Sequence, residues 1–472
     1  MGQDALTGSF PTLVKYFKDV IGNPTDLVSR HISAGVESDV FFLRGHVSDV
    51  QVDEAVLSPL LRFDGSGSAS PVDLIPAPAS PLNAISEAVN AILRGDAVVA
   101  TPGLGWWAID VAETPKRQPS ESKSAKVIHG PHVGFIEELE ANLALLRRYI
   151  RSPFLRLHPY TVGVLTHNHV VVAALDGVVN AEVLAKIQTQ IEDILVDGIT
   201  GINAIAEFLQ PGGLIPTYQI SERPDQVAAA LLEGRVAILM DGTPTTLIIP
   251  ATLTNLMTHP NDYYQTTLGG TLTRLLRYIG FFTTLAFPGI YVGIMSVNTT
   301  VIPISLALTI LRGRLAIPFP VLVETGIMLF TFDSILEAGF IIPGGLGQTI
   351  SVGGGLVLGQ AAIMAGIVSA PTLIIIAVTE LAQFMIPDTN LQAAVRWMRL
   401  LLLVLGAIMG LVGVMSGLMF FIAIAAQADS YGMSYLSPLA SMRPGWWRDT
   451  ITRAPVWLRN RRPKHLRPYR IS

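Results

Sequence analysis

The chain has 472 residues, of which half are hydrophobic and 14 % charged, with a mean hydropathy of +0.48 and a net charge of -4. That is too apolar for an ordinary soluble enzyme of this length and requires lipid for part of the chain. The absence of cysteine excludes disulfides, thiolate metal sites and cysteine nucleophiles.

The small net charge hides a strong asymmetry. Residues 1–270 carry 17 Lys/Arg against 29 Asp/Glu, residues 271–442 carry 6 against 6, and residues 443–472 carry 9 against 1. The first twenty residues hold Asp4, Lys15, Lys18 and Asp19 without the apolar core of a secretory signal, so the amino-terminal region is expected in the cytoplasm.

Up to about residue 270 strand-like apolar runs (40–43, 97–100, 106–111, 162–165, 170–175, 236–240, 246–249) alternate with helix-like stretches, which reads as α/β. SEAVNAILRGDAVVATPG (86–103) aligns with DQVAAALLEGRVAILMDG (225–242) at a constant offset of 139 residues. Each reads as helix, glycine stop, buried strand and turn glycine, with Gly95 matching Gly234 and Gly103 matching Gly242. Two related subdomains follow, 1–115 and 156–270. Between them lie an exposed Pro/Ser/Lys linker (114–126) and a long helix expected over 133–151, with acidic residues early and Arg147, Arg148 and Arg151 late, as the helix dipole favours.

A helical membrane domain is expected over 271–430, with apolar stretches at 275–311, 321–342, 346–368, 373–386 and 400–426. Four to six crossings fit. The acidic front and the basic tail (431–472, with Arg459, Arg461, Arg462, Lys464 and Arg467) both favour the inside and hence an even number, although Arg396 and Arg399 would then lie outside.

Ionisable residues inside a membrane segment face a pore, a partner or one another. Here they are Glu324, Asp333, Glu337 and Glu380. Asp333 and Glu337 share a helical face, which Glu324 joins only loosely. They read equally as pore or subunit-contact groups and as the polar side of an interfacial amphipathic helix or partners of Arg312 and Arg314. Glycines crowd the following segment, and Gly353, Gly354, Gly355 and Gly359 offer close helix packing or a gate. His158, His167 and His169 lack the companions of a zinc site, so no metal or cofactor is expected. There is no GxxxxGK[ST], GxSxG or HExxH, so no catalytic residues are assigned and enzyme function is disfavoured.

Several strings together resemble the A subunits of GerA-family spore germinant receptors. VIHGPHVGFIEELEANLALLRRYI (127–150) is similar to the family signature through Gly130, Gly134, Phe135, Glu137, Asn142, Arg147 and Arg148. SERPD (221–225), with Glu222, Arg223, Pro224 and Asp225, resembles the next block, followed by LLEGRVAILMDGTP (231–244) and NDYY (261–264). IPFP (317–320), EAG (337–339), GGGLVLGQAAIMAGIVSAP (353–371), FMIP (384–387) and RRP (461–463) extend the match. His129, His132 and Leu336 stand where the family commonly has arginine. The family also holds stage V sporulation protein AF, but the ending RAPVWLRNRRPKHLRP looks more like a receptor subunit.

The resemblance implies a multi-pass protein of the spore inner membrane, working with a nutrient-binding B subunit and a lipoprotein C subunit. It also implies that copies of this subunit oligomerise to form or gate a cation channel. The alternatives are a secondary transporter and a structural or accessory subunit. Membrane lipid is the other expected partner, and no nucleic acid is.

Overall fold

A computed structural model describes the chain except residues 1–5, 7–8, 22–25, 34–36, 45, 48, 63–74, 112–129, 211–212, 342–345, 441–448, 456 and 458–472. The proposed linker, His129 and the five named cations of the tail lie outside the described residues, as do the surroundings of Gly353. The chain divides into two compact units, one of residues 1–212, 218–250 and 456–472, the other of 213–217 and 251–455.

The first unit holds two five-stranded sheets. β1 (Leu27–Ile32), β2 (Ser38–Leu43), β3 (Ala79–Leu82), β4 (Ala97–Thr101) and β5 (Gly105–Ile109) are ordered β1-β2-β4-β5-β3, with every neighbour antiparallel. β6 (Leu155–Val162), β7 (Asn168–Leu175), β8 (Gln219–Ser221), β9 (Val236–Met240) and β10 (Thr246–Ile249) repeat that order as β6-β7-β9-β10-β8, again antiparallel. Pro81 and Pro159 fall in β3 and β6, both edge strands, where a missing N–H breaks no ladder.

The repeated segment occupies equivalent places. α2 (Ile85–Arg94) runs through Gly95 at φ 106° into β4, and α6 (Pro224–Glu233) runs through Gly234 at φ 98° into β9. In the first sheet β2 shows why alternation matters. Phe41 and Leu43 pack with α1 (Phe10–Ile21) and α2, while Val40 and Phe42 pack against Val52, Val56, Leu57 and Leu60 on the other face. In the second, Leu157, Val171, Ala237 and Ile248 meet α3 (Leu139–Tyr149) and α6, while α4 (Ala181–Glu192) and α5 (Ile202–Leu209) follow β7 in the chain.

Two local expectations are corrected. The strand expected at 162–165 is β6, which ends at Val162; Gly163 at φ +93° turns the chain into a hairpin loop held by Val164 N–H on Val196 O. The long helix begins only at Leu139, because 133–138 is fastened across the lobe. Phe135 N–H donates to Glu222 O at 2.8 Å, and the Asn142 amide bonds both Ile136 N–H and Ile136 O.

The second unit is helical: α7 (Thr267–Ser296), α8 (Ile304–Arg314), α9 (Val321–Ile341), α10 (Leu346–Met364), α11 (Ala370–Gln383) and α12 (Thr389–Gln427). Among the described residues α7 and α12 are the two helices long and apolar enough to cross a membrane. α12 is not straight, which corrects the single stretch expected at 400–426. Gly410 has φ 65° and ψ -146°, and beyond it the chain doubles back: a Cβ on Gly417 would meet Leu402 and Leu405, and one on Gly413 would meet Leu405. In a continuous helix residues fifteen apart would be about 22 Å apart.

Candidate functional site: an ion-pair core among the helices

Charge inside the helical unit is gathered rather than spread. Arg399, on the first arm of α12, has no exposed side-chain surface. It donates through Nη1 to Glu380 Oε1 on α11 at 2.8 Å, and through Nη2 to Asp333 Oδ2 at 3.0 Å and Oδ1 at 3.2 Å on α9. Gln383 Oε1 also accepts from Nη1, at 3.3 Å. Arg396, one turn earlier, lies 3.3 Å from Asp333.

Two cations and two carboxylates thus join three helices with no net charge. An isolated charge there would carry a desolvation penalty of several kcal/mol, which mutual pairing offsets. The arginines that disturbed the charge bias of the loops are the partners of Asp333 and Glu380.

Glu324 lies apart from this core. It is fully buried, accepts from Ser369 N–H at the amino terminus of α11, and is 3.3 Å from Arg314 at the end of α8. Ser369 Oγ, Thr372 Oγ1 and Tyr291 Oη continue the polar contacts at 2.9 Å each. A helix amino terminus and a guanidinium both favour a carboxylate there. Glu337 is exposed, one turn past Asp333 on the same helix. Of the four singled-out carboxylates the fold therefore unites Asp333 and Glu380.

The packing glycines act locally. A Cβ on Gly355 would stand 3.0 Å from Phe332 of α9 and one on Gly359 3.0 Å from Leu373 of α11, while at Gly354 nothing lies within 4 Å. A closer approach was not singled out from the sequence. Gly289 and Gly293 of α7 face the backbone of Leu402, Gly406 and Gly410 on α12. The signal was present as two small-xxx-small spacings, 289/293 and 406/410.

A second missed cluster gathers where α7 begins. Asp262, 1 % exposed, accepts from Arg277 at 2.8 and 2.9 Å and from Arg274 Nε at 3.1 Å. Arg274 also reaches Asp449 Oδ1 at 2.8 Å, and Tyr263 Oη donates to Asp449 at 3.0 Å. Burial alone would raise the Asp262 carboxyl, but the bonds and charges of Arg277 and Arg274 outweigh it and hold it below the usual range. NDYY is thus a structural joint between α7 and the residues beyond α12.

The motif residues of the second lobe also converge. Arg223 is 1 % exposed, pairs with Asp225 at 2.8 Å and donates to Pro131 O at 2.9 Å, while Pro224 opens α6. Gly242 N–H donates to Glu137 O at 2.9 Å, and Glu222 O accepts from Phe135. Gly130 has φ 155°, Gly134 and Phe135 are buried, and Arg148 is exposed beside buried Arg147. These residues fasten the 130–138 segment between α3 and α6. Among the described residues no group of His, Asp and Glu is arranged to hold a metal ion.

The chain is thus a two-sheet α/β region with a helical unit in which, among the described residues, two helices are long and apolar enough to cross a membrane. Residues 15–465 match the Bacillus/Clostridium GerA spore germination protein family, and the chain belongs to that family. It is 34 % identical over 392 residues to spore germination protein B1 of Bacillus subtilis, covering 82 % of this chain and 81 % of that one. It is 33 % identical to the uncharacterized membrane protein YfkQ of the same species, covering 93 % and 88 %, and 30 % identical to spore germination protein KA, covering 97 % and 87 %. A crystal structure of the N-terminal domain of the A subunit of the Bacillus megaterium spore germinant receptor GerK3 aligns with 53 % of this chain and 96 % of its own, at TM-score 0.40 and 24 % identity. The relatives named for a role are spore germination proteins, none of them named as an enzyme.

Proposed function

We propose that this chain is the transducing A subunit of a nutrient-responsive germinant receptor in the spore inner membrane. It acts with a nutrient-binding B subunit and a lipoprotein C subunit, and copies of it assemble to form or gate a cation path. The observation that carries this reading is the neutral core of Asp333, Glu380, Arg396 and Arg399, which binds three helices by pairs that a conformational change can exchange. Family membership supports the germination role, and exposed Glu337, one turn from that core, is the carboxylate available to a cation or to a neighbouring subunit.

The test is nutrient-triggered potassium release from spores in which this receptor operon is the only one present, with the gene, without it, and with it restored. Release that disappears without the gene and returns with it is expected. Normal release and germination without it would overturn the reading and leave an accessory role.

A further inference from the structure

Among the described residues the two lobes of the α/β region are joined by polar links. The described apolar clusters each close within one lobe or the other. Arg147 of α3 is 2 % exposed and reaches from the second lobe to Asp26, just before β1, donating through Nε at 2.6 Å and Nη2 at 2.8 Å. Arg156 of β6 donates to the carbonyl of Ile21, the last residue of α1, at 3.2 Å. Polar seams of this kind leave relative motion as the default behaviour of the bodies they join.

His46 sits in that seam. Arg44 N–H donates to Asp26 O at 2.9 Å and His46 N–H to Leu43 O at 3.2 Å, so the turn after β2 sets the imidazole beside the carboxylate that Arg147 holds. The ring is 8 % exposed, and its Nε2 has no hydrogen-bond partner among the described residues. The charges acting on it are Arg147 and Arg148 from α3 and Arg151 just beyond, against Asp26 alone, with Arg44 two residues back in the same turn after β2. A neutral ring is tolerated in that setting. An imidazolium would be a buried cation facing three arginines, with the one nearby carboxylate already bonded twice.

We propose that His46 makes the seam a proton-operated latch: while the ring is neutral Arg147 stays clamped on Asp26, and a proton on the ring releases the clamp and lets the lobes part. Burial first, and then the charge of Arg147, push the ring from 6.5 down to about 4 in the closed form. In water the ring titrates near its ordinary value, so the open form takes the proton first and acid favours opening. Between pH 7.5 and pH 5 the open-to-closed ratio rises about 30-fold.

The chain has no cysteine, so a labelling pair can be introduced cleanly. Leu104→Cys in the first lobe and Leu195→Cys in the second are 45 % and 84 % exposed. Spin labels on this pair in the full-length protein in detergent give the interlobe distance at pH 7.5 and pH 5. A single distance at pH 7.5, a longer population at pH 5, and no such change in His46→Leu are expected, with Asp26→Asn already open at pH 7.5. One distance at both pH values, or the same response in His46→Leu, would overturn the latch; His46→Gln serves the same purpose if the leucine variant does not fold. The readout involves no germination, so its failure leaves the receptor reading standing.

Discussion

Arg399 shows what one residue does when it is buried among helices. Its guanidinium satisfies two carboxylates on different helices, so Arg399→Met leaves Glu380 buried without its cation and Asp333 with Arg396 alone. A loss of about 3–5 kcal/mol follows from removing one partner of a buried pair. A thermal unfolding scan in detergent reads it as a large fall in midpoint, and an unchanged midpoint would show the pairs to be dispensable. Glu337→Gln is the contrasting change, because that side chain is exposed. It is expected to leave protein level unaltered and to reduce nutrient-triggered potassium release; undiminished release would remove Glu337 from the cation path. The carboxylates were legible in the sequence as charges within apolar stretches. Their partners were not, since Asp333 and Arg399 are brought together by folding across 66 positions of sequence.

At the scale of elements the glycines separate into those that decide a contact and those that do not. A side chain at Gly289 would place its Cβ 2.8 Å from Leu402 O, a backbone atom that cannot swing aside. Gly289→Leu is therefore expected to lose at least the 1–3 kcal/mol, approximately, of an overpacked core, and to lower the yield of folded protein by size-exclusion chromatography. Gly354→Ala, with nothing within 4 Å, is expected to be neutral in the same assay. Equal yields from the two would mean that the α7–α12 approach is not tight. The break of α12 belongs to this scale too. Hydropathy reads only length and polarity, and Gly410 offers neither a charge nor a proline. Its left-handed φ and the Asn298 Oδ1 that accepts Leu411 N–H at 2.9 Å exist only once α7 lies beside it.

For the whole molecule the acid response follows from His46. Its value in the folded protein lies below the ordinary 6.5, so the unfolded chain takes up the proton first as pH falls. The stability it contributes is complete above about pH 6.5 and declines toward pH 4, by at most roughly 3 kcal/mol, because parting of the lobes relieves part of the penalty. Urea unfolding followed across that window is expected to show the decline in the wild type and a flatter curve in His46→Leu; parallel curves would assign the acid loss to other groups. The sequence by itself determined the apolar and polar halves, the helix–glycine–strand repeat and the family, because hydropathy, glycine spacing and local motifs are properties of short segments. Tertiary structure alone decided that Arg396 and Arg399 neutralise Asp333 and Glu380, that α12 turns back at Gly410, and that His46 lies against Arg147. Those facts depend on which distant residues meet in a low-dielectric interior, where a charge must be paired and a backbone must find its partner, and no local pattern in the chain encodes such a meeting.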